Sequence, residues 1–365
     1  MMGRRESVAP LLSCAAVCGL LGGAACSSPE RAAPRERMAA QASPSVALPA
    51  GPLLFVTNEA SGDLSVIDVD ARRVLTTIPL GKRPRGIVLS PDRTTLYVAL
   101  SGSPVAGPGV DEKTLPPADK KADGIGVVDI SQRRLIKVLP SGSDPERLAV
   151  SPDGTRLFVT NEDAALVSFI DIAEGRVRDT VKVGGEPEGV DLSPDGKIVY
   201  VTSEDDGVVF AIDTDTRAVL KKVEVPARPR STAFLPDGTR AYVTSENGGA
   251  ISVIDTKTYK VLATIRPSGE SIRPMGVVAA PDGKRVYVTT GRGKMVAIID
   301  TATNRPVGSI EVGPRPWGIA ISEDGQTLYT ANGPANDVSV VDVASQAVTA
   351  RIKVGDKPWG VVLRP

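Results

Sequence analysis

The chain repeats itself with a fixed period, and that repeat restricts its folding more than any other property. An aromatic residue followed by Val-Thr-Asn-like text recurs as FVTN at Phe55, YVAL at Tyr97, FVTN at Phe158 and YVTS at Tyr200. It returns as YVTS at Tyr242, YVTT at Tyr287 and YTAN at Tyr329. Apolar segments ending in aspartate recur at Asp68, Asp129, Asp171, Asp213, Asp255, Asp300 and Asp342, and a proline recurs at Pro84, Pro145, Pro187, Pro229, Pro274, Pro316 and Pro358. Each series advances by 42 residues, apart from one step of 61 and one of 45. Three series in one register mean that a single supersecondary unit is repeated.

The unit reads as four short strands. In one copy EGVDLS is the first, PDG a tight turn, KIVYVTS the second, GVVFAID the third, and AVLKKVEV the fourth after a TDT turn. Alternating β-branched residues without a helical period predict an antiparallel meander. Four strands in about 42 residues is the period of a propeller blade, and blades bury their faces by stacking around an axis. The first copy begins at a second strand, PLLFVTN, and the last text, GDKPWGVVLRP, supplies a lone first strand. Joining them predicts an all-β, seven-bladed β-propeller of four-stranded antiparallel blades. Its ring is closed by the C-terminal strand entering the N-terminal blade, so no sheet edge stays open.

Residues 1–25 read as a signal peptide: Arg4 and Arg5, then an apolar run, then small residues up to Cys26. GGAAC resembles a lipobox with Cys26 as the lipidated residue, which implies a lipid anchor and an extracytoplasmic, periplasmic or cell-surface place. Cleavage near Ala25 without lipidation gives a secreted form instead. Cys14 and Cys18 leave with the signal, so no internal disulfide is expected. Residues 26–50, rich in Ala, Pro and Ser, read as a flexible tether. The propeller occupies 51–365, with an insertion at about 102–123.

The repeats resemble the YVTN family of seven-bladed β-propellers. GKRPRGIVLSPD, SGSDPERLAVSPDG, GGEPEGVDLSPDG and GPANDVSVVDV are most similar to a branch associated with PQQ-dependent alcohol oxidation and an accompanying transporter. The resemblance implies a role in such a system.

Function must come from one face. Both departures from the 42-residue step fall there: the insertion, with Lys113, Lys120 and Lys121, and three extra residues before Pro274. The same face carries the residues flanking the seven prolines: Arg83/Arg85, Asp144/Glu146, Glu186/Glu188, Arg228/Arg230, Arg273/Met275, Arg315/Trp317 and Lys357/Trp359. Arginine beside exposed aromatic rings suits a protein hot spot or a small anionic or aromatic ligand. Arg83, Arg85, Arg228, Arg230, Arg273, Arg315, Trp317, Lys357 and Trp359 are therefore the candidate binding residues, although Arg and Glu of this ring can also pair with each other. The seven strand-end aspartates read as turn caps. Glu59, Glu162, Asp163, Glu204, Asp205, Asp206 and Glu246 read as solvated surface groups.

Lys and Arg total 43, as do Asp and Glu, and histidine is absent. Zero net charge disfavours nucleic acid as a partner. Without histidine the usual general base and the commonest metal ligand are missing. No catalytic, metal or cofactor constellation is expected, beyond a carboxylate mechanism on Asp144, Glu146, Glu186 or Glu188. The expectation is a monomeric, membrane-tethered binding or scaffold protein that is not an enzyme. Alternatives are a lactonase- or lyase-like propeller enzyme and a surface or DNA-binding YVTN propeller.

Overall fold

The computed structural model describes residues 48–105 and 114–365. The signal, the tether up to residue 47, Cys26 and Lys113 lie outside the described residues. Among the described residues, seven four-stranded antiparallel sheets form a seven-bladed β-propeller. Blade I takes Pro358–Arg364 as its first strand, followed by Leu53–Asn58, Asp63–Asp68 and Arg73–Pro79. The first strands of blades II to V are Pro84–Leu89, Pro145–Val150, Pro187–Leu192 and Pro229–Phe234. Those of blades VI and VII are Val277–Ala279 and Pro316–Ile321. The expected closure is therefore present: Phe55 pairs with Val362 and Leu53 with Arg364. No helix among the described residues is long and apolar enough to cross a membrane.

The repeat encodes this packing strand by strand. Second and third strands are apolar on both faces because each sits between two neighbouring blades: Leu157–Val159 and Val199–Val201 are fully buried. Phe158, Phe169, Val199, Val201 and Phe210 join blades III and IV in one cluster. Leu54, Val56, Tyr329 and Val338 do the same for blades I and VII across the seam. Each such side chain contributes roughly 1.5–3 kcal/mol on burial, so the seam is held by core and not by sheet pairing alone. The fourth strands face solvent, and Leu262 is half exposed.

Two polar devices recur. All seven strand-end aspartates accept a backbone N–H three residues on, as Asp68 does from Ala71 and Asp255 from Thr258. The threonine of the Val-Thr-Asn text clasps adjacent blades. Thr57 Oγ1 accepts from the Gly360 amide in its own blade at 2.8 Å. It also donates to the Arg85 carbonyl oxygen of blade II at 2.7 Å. Thr160, Thr244 and Thr289 make the corresponding bonds to Glu188, Met275 and Trp317. The glycine two places after the proline permits this approach: a Cβ on Gly360 would stand 2.4 Å from the Arg85 oxygen.

Candidate functional site

The residue before each repeat proline is held in the left-handed region in six blades, at Arg83, Asp144, Glu186, Arg228, Arg315 and Lys357. A residue before proline favours extended geometry, so this conformation is strained. A backbone bond offsets the strain: the amides of Glu59, Glu162, Glu204 and Glu246 donate to the carbonyl oxygens of Lys357, Asp144, Glu186 and Arg228. The seventh such residue, Arg273, has no positive φ; its blade carries the three extra residues. The chain thus forces a ring of charged side chains toward the channel mouth.

The ring divides into two sectors. In blades I to V, carboxylates and guanidiniums interlock. Arg83 Nε lies 3.0 Å from Glu59 Oε1, and its Nη1 lies 3.5 Å from Asp144 Oδ1. Arg85 pairs with Glu146, which is fully buried. Arg228 Nε lies 2.6 Å from Glu204 Oε2. Arg230 pairs with Glu204 and lies 3.2 Å from Glu188 Oε1. Burial works against the charge on Glu188, yet the guanidiniums of Arg230, Arg85 and Arg147 hold its carboxyl below the ordinary range.

Glu59 and Glu204, expected as solvated groups, are buried partners of these arginines. The reason is positional: each follows a second strand and meets the proline-flanking arginines of the next blade. Repetition of Glu directly after Thr-Asn or Thr-Ser was the available signal. Glu162 differs from them. It stays about a third exposed, and its Oε2 lies 4.0 Å from Arg85 Nη1. Burial pushes its carboxyl up, Arg85 pulls it down, and Glu188 and Asp144 push it up again, leaving it above the usual range. Its oxygens lie within 4.8 Å of those of Asp144 and Glu146, a trio that could hold a cation, although Arg83 and Arg85 already stand among these carboxylates. Lys120 of the insertion pairs with Asp163 beside Glu162.

Blades VI, VII and the seam form the second sector. Arg273 donates to Asn247 Oδ1 at 2.7 Å. Arg315 has its guanidinium 5.5 Å from the Trp317 ring centre. Lys357 is exposed. Trp317 is partly buried, whereas Trp359 is only 2 % exposed. Trp359 is stacked by Arg85 at 4.8 Å and by Arg147 at 4.5 Å. Arg147, absent from the candidate binding residues, occupies a place that is glycine in five blades, and its side chain reaches Trp359 from two blades away. Burial lowers its pKa to about 10.

Residues 184–354 match the family described as lactonase, 7-bladed β-propeller. No curated protein matches the chain. Among solved structures, hydrazine synthase of Kuenenia stuttgartiensis is 22 % identical with a TM-score of 0.69, covering 80 % of this chain and 92 % of that one. A protein assigned as a 6-phosphogluconolactonase from Bacteroides uniformis is 17 % identical with a TM-score of 0.69, covering 86 % and 99 %. Its counterpart from Bacteroides fragilis is 18 % identical with a TM-score of 0.68, covering 86 % and 98 %.

These similarities correct the expectation that the chain is not an enzyme: the family match and two neighbours point to an enzyme family. The absence of histidine removes only one kind of general base. A carboxyl group raised by burial beside guanidiniums can carry general acid–base chemistry as well.

Proposed function

We propose that the protein is a lactonase-like hydrolase that opens a lactone ring at the mouth of its channel. The observation that carries this reading is the placement of Glu162, a partly exposed carboxylate of the interlocked sector, beside the Arg85 guanidinium. The lactonase match over residues 184–354 supports it.

Lactone hydrolysis needs a base for water and positive charge where the carbonyl oxygen becomes negative. Glu162 takes a proton from water as the water oxygen bonds to the carbonyl carbon. Arg85, with Arg83 among the same carboxylates, faces the developing oxyanion. Collapse of the tetrahedral intermediate breaks the ring C–O bond, and the proton on Glu162 passes to the departing alkoxide. The product is a hydroxy acid, and atoms and charge balance without a cofactor. The Arg85 guanidinium is fixed on both sides, by Glu146 and by the Trp359 face, so little reorganisation accompanies the reaction.

The test is a pH-stat assay of the full domain on a panel of five- and six-membered lactones. Ring opening that falls at least about a hundredfold in Glu162→Gln, with unchanged melting, supports the reading. Equal rates in the two proteins overturn it. Membrane tethering through Cys26 and service to PQQ-dependent alcohol oxidation are proposals that rest on the sequence alone.

A further inference from the structure

The second sector of the mouth has a composition that the hydrolytic chemistry does not use. Its floor is apolar: Met275 is 5 % exposed, and Trp317 lies edge-on to Trp359 with ring centres 5.9 Å apart. Its rim is cationic. Arg273, Arg292, Arg315 and Lys357 have no carboxylate oxygen within 4.0 Å among the described residues, whereas Arg83, Arg85, Arg228 and Arg230 all do. Arg292 is brought in by the 3₁₀ turn Gly291–Gly293. Gly291 is seated tightly there: a Cβ would meet the Arg273 carbonyl oxygen at 2.9 Å and Met275 Cγ at 3.2 Å.

Charges of both signs act on Arg315. Glu246 and Glu59 attract it from blades V and I, while Arg292 and Arg230 repel it, and burial holds its pKa below the ordinary value. Glu246 is itself shared with Arg228 and Arg230. A concentration of uncompensated cations over an aromatic floor attracts an anion and offers it a stacking face.

We infer that Trp317, Met275, Arg315, Arg273 and Arg292 form a subsite for a planar, apolar moiety bearing a carboxylate or phosphate. The inference rests on the hydrolytic reading and narrows its substrate class to lactones with a flat, unsaturated or aromatic portion next to an anionic group. A polyhydroxylated sugar chain finds no match on this floor, because Met275 and the face of Trp317 offer it no hydrogen-bond partner.

The experiment is titration of the full-length protein with 2-naphthoate, 2-naphthyl phosphate, 2-naphthalenemethanol and inorganic phosphate, followed by calorimetry and tryptophan fluorescence. The naphthyl anions should bind at least about tenfold more tightly than the neutral alcohol or inorganic phosphate, since each of those lacks half of the recognition. The order of the two anions identifies which acid group the subsite prefers. Arg315→Ala and Trp317→Ala should each weaken naphthyl-anion binding about tenfold, and Trp317→Phe should restore most of it.

Inorganic phosphate binding as tightly as the naphthyl anions overturns the proposal, as does naphthyl-anion binding that survives both alanine variants. The two readings fail separately. Lactone opening with a KM unchanged in Trp317→Ala removes the subsite and leaves the hydrolase. Specific naphthyl-anion binding without opening of any lactone removes the hydrolase and leaves the subsite.

Discussion

Thr57 Oγ1 donates to the carbonyl oxygen of Arg85, 2.7 Å away in the neighbouring blade. The same hydroxyl accepts the Gly360 amide, so one side chain ties two blades and the seam together. The Thr of the repeated Val-Thr-Asn text is thereby explained as an inter-blade clasp. Ala99 and Ala331 stand in its place in blades II and VII, and Thr202 of blade IV accepts the Gly189 amide of its own blade.

Thr57→Val should leave the Arg85 oxygen and the Gly360 amide without their partner in a fully buried place. The expected loss is about 1–3 kcal/mol, read as a lower denaturation midpoint in urea with unchanged slope. Stability equal to that of the parent would show that the clasp is incidental.

The two tryptophans should respond differently to truncation. Trp359 is almost fully buried between two guanidiniums, and Trp359→Ala should lower stability by about 3–5 kcal/mol. Trp317→Ala, at a partly exposed position, should lower it much less. Paired thermal and urea denaturation of the two variants checks this, and equal losses would contradict the assigned burial.

Asp191, on the first strand of blade IV, has its carboxyl pushed up to about 7 by burial, against hydrogen bonds from the amides of Leu192 and Phe234. The folded protein therefore binds this proton more tightly than the unfolded chain does. That contribution is fully present below about pH 4 and is lost as pH rises toward 7. Asp191→Asn should accordingly be more stable than the parent at pH 8 and equal to it near pH 4. Melting curves at the two pH values test the sign, and a variant less stable at pH 8 would refute it.

Glu162, if it accepts the proton from water, imposes its own titration on turnover. Its pKa is raised by burial, so kcat/KM should climb with pH through a value above the ordinary carboxylate range. A profile of the lactone-opening rate from pH 4 to 8 reads this directly. A flat profile, or one that falls over this range, would remove Glu162 from the role.

Removing Trp359 to Pro365 deletes nearly all of the strand that pairs with Leu53–Asn58 and strips the cover from Leu54 and Val56. The shortened protein should lose cooperative unfolding and expose dye-binding apolar surface. A compact, monomeric product with a sharp transition would contradict the role given to the seam.

The architecture was legible because blade repetition leaves three independent marks in one register: Tyr200, Asp213 and Pro187 each predict their counterparts 42 residues on. The aspartate caps were legible for the same reason, being purely local. The site was only half legible. The ring of proline-flanking residues located the mouth, but pairing depends on which blade follows which: Glu59 and Glu204 look like loop carboxylates until the next blade brings Arg83 or Arg228 against them. Arg147 was hidden in another way. Its reach to Trp359 spans from blade III to blade I, a contact that no residue count along the chain conveys. The burial of Trp359 and partial exposure of Trp317 escape the sequence too, because both share the same Pro-Trp-Gly text.

The bond between Gly360 and Thr57 joins positions 303 residues apart. Blades II to VII can each assemble from local hairpins as they emerge from the ribosome, but blade I must wait for its last strand. Until Pro358–Arg364 has been released, Leu53–Asn58 lacks one neighbour and its apolar side chains have no lasting cover. The disc is thus a clasp that snaps shut only once Pro358–Arg364 has emerged, and the interval before closure is when a chaperone has most to protect.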